Sequence, residues 1–412
     1  MRIKWFSFIR IAGLCSVLTY HFFKNAYPGG FIGVDIFFTF SGFLITALMI
    51  DEFAKTQRFR LIAFYRRRFY RIVPPLILSI LVVVPLTYLV NPDYVTGLGR
   101  QISAAVGFTT NYFEILTGGS YESKFIPHLF VHTWSLAVEV HFYLIWGLLA
   151  AIFTRLISKF QRSDAYRRQT FRWVIGTLSL VFAIESAGAM ALSSANLTDF
   201  SPVYFSSLTH CFPFFIGATL ASLTGIKDRP QAFKRLSTEF NATAITTSLL
   251  LTFGALAWLG YRLSFSNRAT YTGGILVASL LAGLAIVLAR MLHDATPNTT
   301  EPRWATYIAD ISYSMYLYHW PLFVIFSQIV SVPFAVLLTL LVGIPCSTLS
   351  YYVLEPLIAG KHPRALKPTW DLTWPKRGLA IVGLLLAGVT GYTITQAPQL
   401  TSLEQRLWVG SL

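Results

Sequence analysis

Apolar residues in this chain gather into long uninterrupted runs, separated by short stretches where Lys, Arg, Pro and Gly concentrate. The runs fall at about 5–23, 31–50, 74–90, 130–153, 173–193, 204–224, 242–260, 272–291, 307–327, 330–353 and 378–394. Each is long enough to cross ~30 Å of hydrocarbon as a helix. Lipid offers no partner for an unpaired backbone N–H or C=O, so runs this long predict α-helices rather than barrel strands. The fold class that follows is all-α: a polytopic transmembrane helix bundle of about 10–11 spans with its N-terminus cytoplasmic. The predicted organisation is one membrane domain over 1–395 and a short external C-terminal tail over 396–412, too short for an external domain.

Three connections stand out. The first inner loop, 51–73, carries seven basic residues interleaved with Phe64, Tyr65, Phe69 and Tyr70, which predicts a helix lying in the membrane interface. The outer loop 91–127 contains Gly118-Gly119 and an amphipathic stretch near 96–115. The last inner loop, 355–377, is rich in Pro and basic residues and is predicted to be irregular.

Composition makes lipid the main solvent. Of the 412 residues, 54% are hydrophobic and 12% charged, with a mean hydropathy of +0.57, a balance foreign to water-soluble domains of this size. Charge then sets the orientation. With the N-terminus inside, 26 of the 33 Lys and Arg residues fall on the cytoplasmic side and six outside, namely Lys24, Arg100, Lys124, Arg262, Arg268 and Arg406. The formal charge of +15 therefore reports topology and implies no nucleic acid partner. Met1-Arg2-Ile3-Lys4 before an apolar run resembles a signal peptide, but Arg10 interrupts the run and no small-residue cleavage site follows, so a retained first helix is expected. Cys15, Cys211 and Cys346 all lie within spans without ligand spacing and read as packing residues; no metal is expected.

Ionisable residues within spans are costly and mark functional candidates. Arg10 and His21 are eleven residues apart on the first span, close to three helical turns, and so share one face. Asp35 opens the second span, ahead of Ser41-Gly42; it is a candidate to orient His21, or a helix cap. Ser41 and Gly42 read equally as a close helix-packing step. Trp134-Ser135-Leu136 leads into Glu139, His141 and Tyr143 on the fourth span, where a carboxylate requires a cationic or hydrogen-bonding partner. Arg67, Arg68 and Arg71 lie on neighbouring faces near one turn and offer a fork for phosphate, although any inner loop collects arginine for topology and anionic lipid. Tyr313 and His319 lie in Ser312-Tyr313-Ser314-Met315-Tyr316-Leu317-Tyr318-His319-Trp320-Pro321, where His319 reads as a structural histidine and Pro321 as a kink. Glu185 and His210 are further buried candidates to which the sequence assigns no role.

Together these stretches resemble the acyltransferase family 3 membrane proteins. The arginine and histidine eleven apart match Arg10 and His21. The family's aspartate, double phenylalanine and serine-glycine-phenylalanine signature matches Gly33, Val34, Asp35, Phe37, Phe38, Ser41, Gly42 and Phe43. Its arginine motif matches Arg67, Arg68, Arg71, Ile72 and Pro74. The two later motifs match Trp134, Ser135, Leu136, Glu139, Phe142 and Tyr143, then Ser312, Tyr313, Ser314, Tyr316, Leu317, His319, Trp320 and Pro321. Within the family the chain is most similar to the membrane part of Gram-positive peptidoglycan O-acetyltransferases, through Phe23-Lys24-Asn25 and Gly118-Gly119-Ser120-Tyr121. Those enzymes usually continue into an external hydrolase-like domain with a serine nucleophile, before which this chain stops. Three readings stay open: a fragment, a separate external partner domain or protein, or a membrane domain that acylates its acceptor alone.

The resemblance implies transfer of an acetyl group from cytoplasmic acetyl-CoA to a hydroxyl of an extracytoplasmic glycan, at a bacterial plasma membrane. Arg67, Arg68 and Arg71 would hold the coenzyme phosphates and Arg10 would contact its arm. His21, oriented by Asp35 or Glu139, would act as general base or as transient acetyl acceptor. Ser41, Trp134, Ser135, Tyr143, Tyr313 and His319 are accompanying candidates; membrane lipid is the remaining partner. Other surface polysaccharides or lipid-linked sugars are alternative acceptors. A proton-coupled secondary transporter or a non-catalytic assembly subunit is the rival from another class.

Overall fold

The structure, a computed structural model, describes residues 3–118, 127–159, 163–365 and 373–410. The sequence features Arg2, Gly119, Ser120, Tyr121, Lys124 and residues 366–372 of the predicted inner loop 355–377 lie outside the described residues. Among the described residues there is no strand, and eleven helices account for the predicted spans. They are α1 (Phe6–Phe22), α2 (Gly33–Thr56), α3 (Leu61–Leu86), α4 (Trp134–Lys159), α5 (Asp164–Ser193), α6 (Phe212–Thr224), α7 (Ala242–Arg262), α8 (Ile275–Ala295), α9 (Arg303–Phe326), α10 (Val332–Leu349) and α11 (Thr373–Gln396). Eight segments among the described residues are long and apolar enough to cross a membrane. Helices α1 and α6 are apolar but shorter, and α9 carries more polar residues.

Two predicted boundaries are corrected and one predicted stretch is resolved further. The basic stretch is not a separate helix ahead of a span at 74–90: α2 runs on to Thr56, the chain turns at Gln57 (φ 52°), and one continuous α3 starts at Leu61 with all four arginines of the run inside it. Arginine and tyrosine are acceptable helix formers, and charge ends a hydropathy run without ending a helix. The predicted 204–224 span is two pieces, Ser201–Phe205 and Phe212–Thr224, interrupted at 206–211 ahead of Pro213. The amphipathic stretch near 96–115 is two short helices, Leu98–Val106 and Thr110–Leu116, parted at Phe108, whose φ is 54°. Glu185 is also corrected: it is exposed on α5 rather than buried. Cys15 is likewise exposed, so it fills no core position.

The chain divides into two compact units, Met1–Tyr65 with Val138–Ala309, and Arg66–Ala137 with Asp310–Leu412. In the first, α2 is the central helix, packed against α1, α5, α6 and α8. Glycines let these backbones approach. A methyl on Gly42 would collide with the Phe214 carbonyl, and one on Gly217 with the Thr39 carbonyl, so α2 and α6 cross at a pair of glycines. Beside that crossing Phe214 stacks on Phe38 (4.2 Å) and on Phe142 (4.6 Å), each pair adding ~0.5–1.5 kcal/mol beyond area burial. Side-chain and loop partners close the polar ends. Glu301 Oε1 accepts the Trp5 and Ser7 amides that begin α1, and Asp294 accepts from both Arg229 and Arg290.

In the second unit, α10 continues through a π-helical turn, Ser350–Leu354, into Glu355–Ile358. The wider turn places Ser350 and Glu355 where one carboxylate oxygen accepts from Ser350 Oγ at 3.2 Å. The segment after α11 is tied back to the 91–97 loop. The Gly97 amide donates to the Pro398 carbonyl at 2.8 Å, and the Ser402 amide donates to Asp93 at 2.9 Å.

Candidate functional site

In the first unit the carboxylates required to find partners inside the helices have done so. Ser41 Oγ donates to Glu139 Oε1 at 2.5 Å, and the Tyr143 hydroxyl donates to the same oxygen. The two hydroxyls are themselves 2.5 Å apart, so Ser41, Glu139 and Tyr143 form one hydrogen-bonded group on α2 and α4. His141, on the same helix as Glu139, meets Ser207 through Nδ1 at 2.8 Å.

Asp35, offered by the sequence as the orienter of His21, pairs instead with His210. Its Oδ1 lies 2.7 Å from His210 Nε2, both side chains are fully buried, and Oδ2 receives no hydrogen bond. His210 Nδ1 faces the Tyr204 carbonyl at 2.6 Å. With a carbonyl at one nitrogen, Nδ1 must carry a proton, so the pair holds either an imidazolium with a carboxylate or a neutral imidazole with a carboxylic acid. Sequence reading left His210 without a role because no motif surrounds it. The signal was structural: the break between Ser201–Phe205 and α6 turns its ring toward α2.

Arg10 and His21 occupy one face of α1, both half-buried, with the His21 ring 5.3 Å from that of Tyr20. The two carboxylates expected to orient His21 are engaged with His210, Ser41 and Tyr143.

The second unit contains the arginine motif. Arg67 is exposed and Arg68 half-buried on α3. Arg71 lies over the rings of Tyr313 (5.6 Å) and Tyr351 (5.7 Å), and its Nη1 is 3.9 Å from Glu355 Oε2. At that distance the pair is electrostatic rather than hydrogen-bonded. The buried Glu355 is held by Ser314 and Ser350, each at 3.2 Å from Oε1. Arg364 covers the same Tyr351 ring at 4.0 Å. Tyr313 fixes the helix pair further by donating to the Ile72 carbonyl at 3.2 Å. Rings and a buried carboxylate thus orient the Arg71 guanidinium while leaving its N–H fork uncommitted, the arrangement a phosphate group requires.

Around Trp134 and Ser135, two histidines meet. His132 and His319 have ring centroids 5.8 Å apart and are 1% and 0% exposed. Tyr316 donates to the His132 carbonyl at 2.8 Å and its hydroxyl is 2.6 Å from Ser135 Oγ. Trp134 is fully buried beside them in the chain. His319 Nδ1 faces the Tyr316 carbonyl at 2.5 Å. His132 was not singled out by sequence. Among the described residues no group of three or more His, Cys, Asp and Glu has the arrangement to hold a metal ion.

Comparison with known proteins gives this arrangement a context. Residues 3–355 match a family model described as "Acyltransferase domain". An O-acetyltransferase OatA of Staphylococcus aureus (strain NCTC 8325 / PS 47) is 28% identical over 316 residues, covering 77% of this chain and 50% of the relative. A peptidoglycan O-acetyltransferase OatA of Listeria monocytogenes is 29% identical over 330 residues, covering 79% of this chain and 50% of the relative. The chain thus spans about half the length of the curated relatives it matches. No solved structure matches it.

Proposed function

Because the chain belongs to the acyltransferase family, as the match over residues 3–355 shows, we propose that it is the membrane part of a bacterial O-acetyltransferase. In this reading it takes an acetyl group from acetyl-CoA on the cytoplasmic side and delivers it to hydroxyls of an extracytoplasmic glycan, with peptidoglycan the first candidate. The named activities of the relatives support the acetyl transfer and the acceptor. The basic residues gathered on one predicted side support the direction.

The observation that carries the donor is Arg71, a guanidinium oriented by Tyr313, Tyr351 and Glu355 with its N–H fork open. Arg67 and Arg68 stand on the same helix, and together the three residues would hold phosphates. The coenzyme supplies an activated thioester. His21 acts on the transferred group, as base toward the incoming hydroxyl or as transient acyl acceptor, and Arg10 on the same helical face contacts the donor arm. Transfer ends on the glycan, directly or through an external hydrolase-like domain or protein.

The test is label transfer from radioactive acetyl-CoA by purified protein in liposomes to peptidoglycan fragments outside, with and without an added hydrolase-like domain. Alkali-labile label on the glycan is expected. No label on protein or glycan under either condition, with the protein shown folded, overturns the reading. His21→Ala is expected to abolish transfer while membrane-inserted protein is unchanged; surviving acetylation removes His21 from the mechanism.

A further inference from the structure

Proline at position 321 of α9 has no N–H, so the carbonyl four residues earlier, that of Leu317, loses its helical donor. The buried carbonyl is satisfied from outside the helix: His132 Nε2 lies 3.1 Å from it. A carbonyl only accepts, so Nε2 carries the ring hydrogen and Nδ1 of the neutral imidazole carries a lone pair. That Nδ1 is buried and has no hydrogen-bond partner. Leaving such an atom unmatched is costly, and a tautomer fixed by Pro321 and Leu317 directs its basic nitrogen permanently one way.

We infer that His132 is a catalytic residue whose Nδ1 receives the hydrogen of the acceptor's hydroxyl group, an inference that rests on the acyl transfer proposed above. With His132 as base, His21 keeps the other role proposed for it, that of transient acyl acceptor: the acyl–sulfur bond breaks as the acyl–N bond to His21 forms, and the ring hydrogen of His21 leaves on the thiol. The hydroxyl O–H bond then breaks as the new O–C(acyl) bond forms and the acyl–N bond breaks. The proton goes to Nδ1, giving an imidazolium that still donates Nε2–H to the Leu317 carbonyl, and then passes to the released His21 nitrogen. The ligand class is a neutral hydroxyl, because Nδ1 offers only a lone pair: an anion would bring no hydrogen to it, and a cation would carry its net charge into a fully buried site. Tyr316, donating to the His132 carbonyl and in contact with Ser135, holds the backbone that carries the ring.

His132→Gln separates the roles. Its amide N–H can still reach the Leu317 carbonyl, so the proline-freed acceptor stays satisfied, but no base remains where Nδ1 was. Initial rates of acetyl transfer at saturating donor, the pH profile and the thermal midpoint in detergent are measured for both proteins. The expected result is a fall in kcat of about 10²–10⁴-fold, loss of the ascending limb of the pH profile, and an unchanged thermal midpoint and donor KM. Transfer by the glutamine variant at the wild-type rate overturns the inference and makes His132 a carbonyl cap only. A loss confined to donor KM overturns it too, by placing an amide of the donor arm at Nδ1. Should the wild-type protein itself transfer nothing, the acyltransferase reading falls instead. The His132 site is then tested by ¹⁵N-histidine spectra, where glycan fragments must shift the Nδ1 resonance of wild type; no shift overturns it.

Discussion

Two buried histidines face different situations. His210 has a partner at each ring nitrogen, the Tyr204 carbonyl and Asp35. His132 has a partner at one, the Leu317 carbonyl, and none at the other. The arginines repeat the contrast. Arg229 and Arg290 both spend N–H groups on Asp294, whereas Arg71 is steadied by rings and a carboxylate at 3.9 Å without a hydrogen bond to it. A polar group whose valences are all matched within the protein holds helices together. One that is oriented but incompletely matched has capacity left for a ligand.

The largest effect is expected at Asp35. Asp35→Ala leaves His210 buried without its partner and is expected to destabilise the protein by ~3–5 kcal/mol, read from thermal unfolding in detergent. An unchanged midpoint would show that the closed pair is not structural. Next, Arg71→Ala is expected to weaken coenzyme A binding by ~1.5–3 kcal/mol, about ten- to a hundredfold, and to leave binding of the phosphate-free pantetheine fragment alone. Arg229→Ala is expected to move neither, and equal losses from both variants would erase the distinction between open and closed cations. Gly42→Ala sharpens it by a purely steric route. Overpacking the α2–α6 crossing is expected to cost ~1–3 kcal/mol, and coenzyme A titrated into the surviving folded protein is expected to bind as in wild type.

The smallest effect lies outside the helices. The Ser402 hydroxyl and amide hold the Asp93 carboxyl below the usual carboxylate range. A lowered folded value means the contact is fully present above pH ~4 and is lost as the pH falls through the folded value. Amide exchange at Ser402 should therefore quicken, relative to its intrinsic rate, only as the pH falls below ~4, and Asp93→Asn should flatten that dependence. A wild-type protein with no such change would mean the tail is not tied by this carboxylate.

Much of the helix inventory was legible because lipid leaves a long apolar run few alternatives. Helix ends were not. Charge hides the first turns of α3, and the break at 206–211 lies inside a run that reads as continuous. Among site residues, the need of Glu139 for hydrogen-bonding partners followed from its depth in a span, and Ser41 and Tyr143 meet it. That Asp35 would choose His210 did not follow, since the choice is made by a turn 175 residues away. His132 was legible in principle, through the proline that frees a carbonyl, but the donor that fills the gap is named only by three-dimensional proximity.

Pro321 and His132 consequently form a single heritable unit although they lie far apart in the chain. A related sequence with an N–H-bearing residue in place of the proline no longer needs a donor at the Leu317 carbonyl, and its histidine is released to either tautomer. Drift at the two positions should therefore be correlated, proline and histidine being kept or lost together.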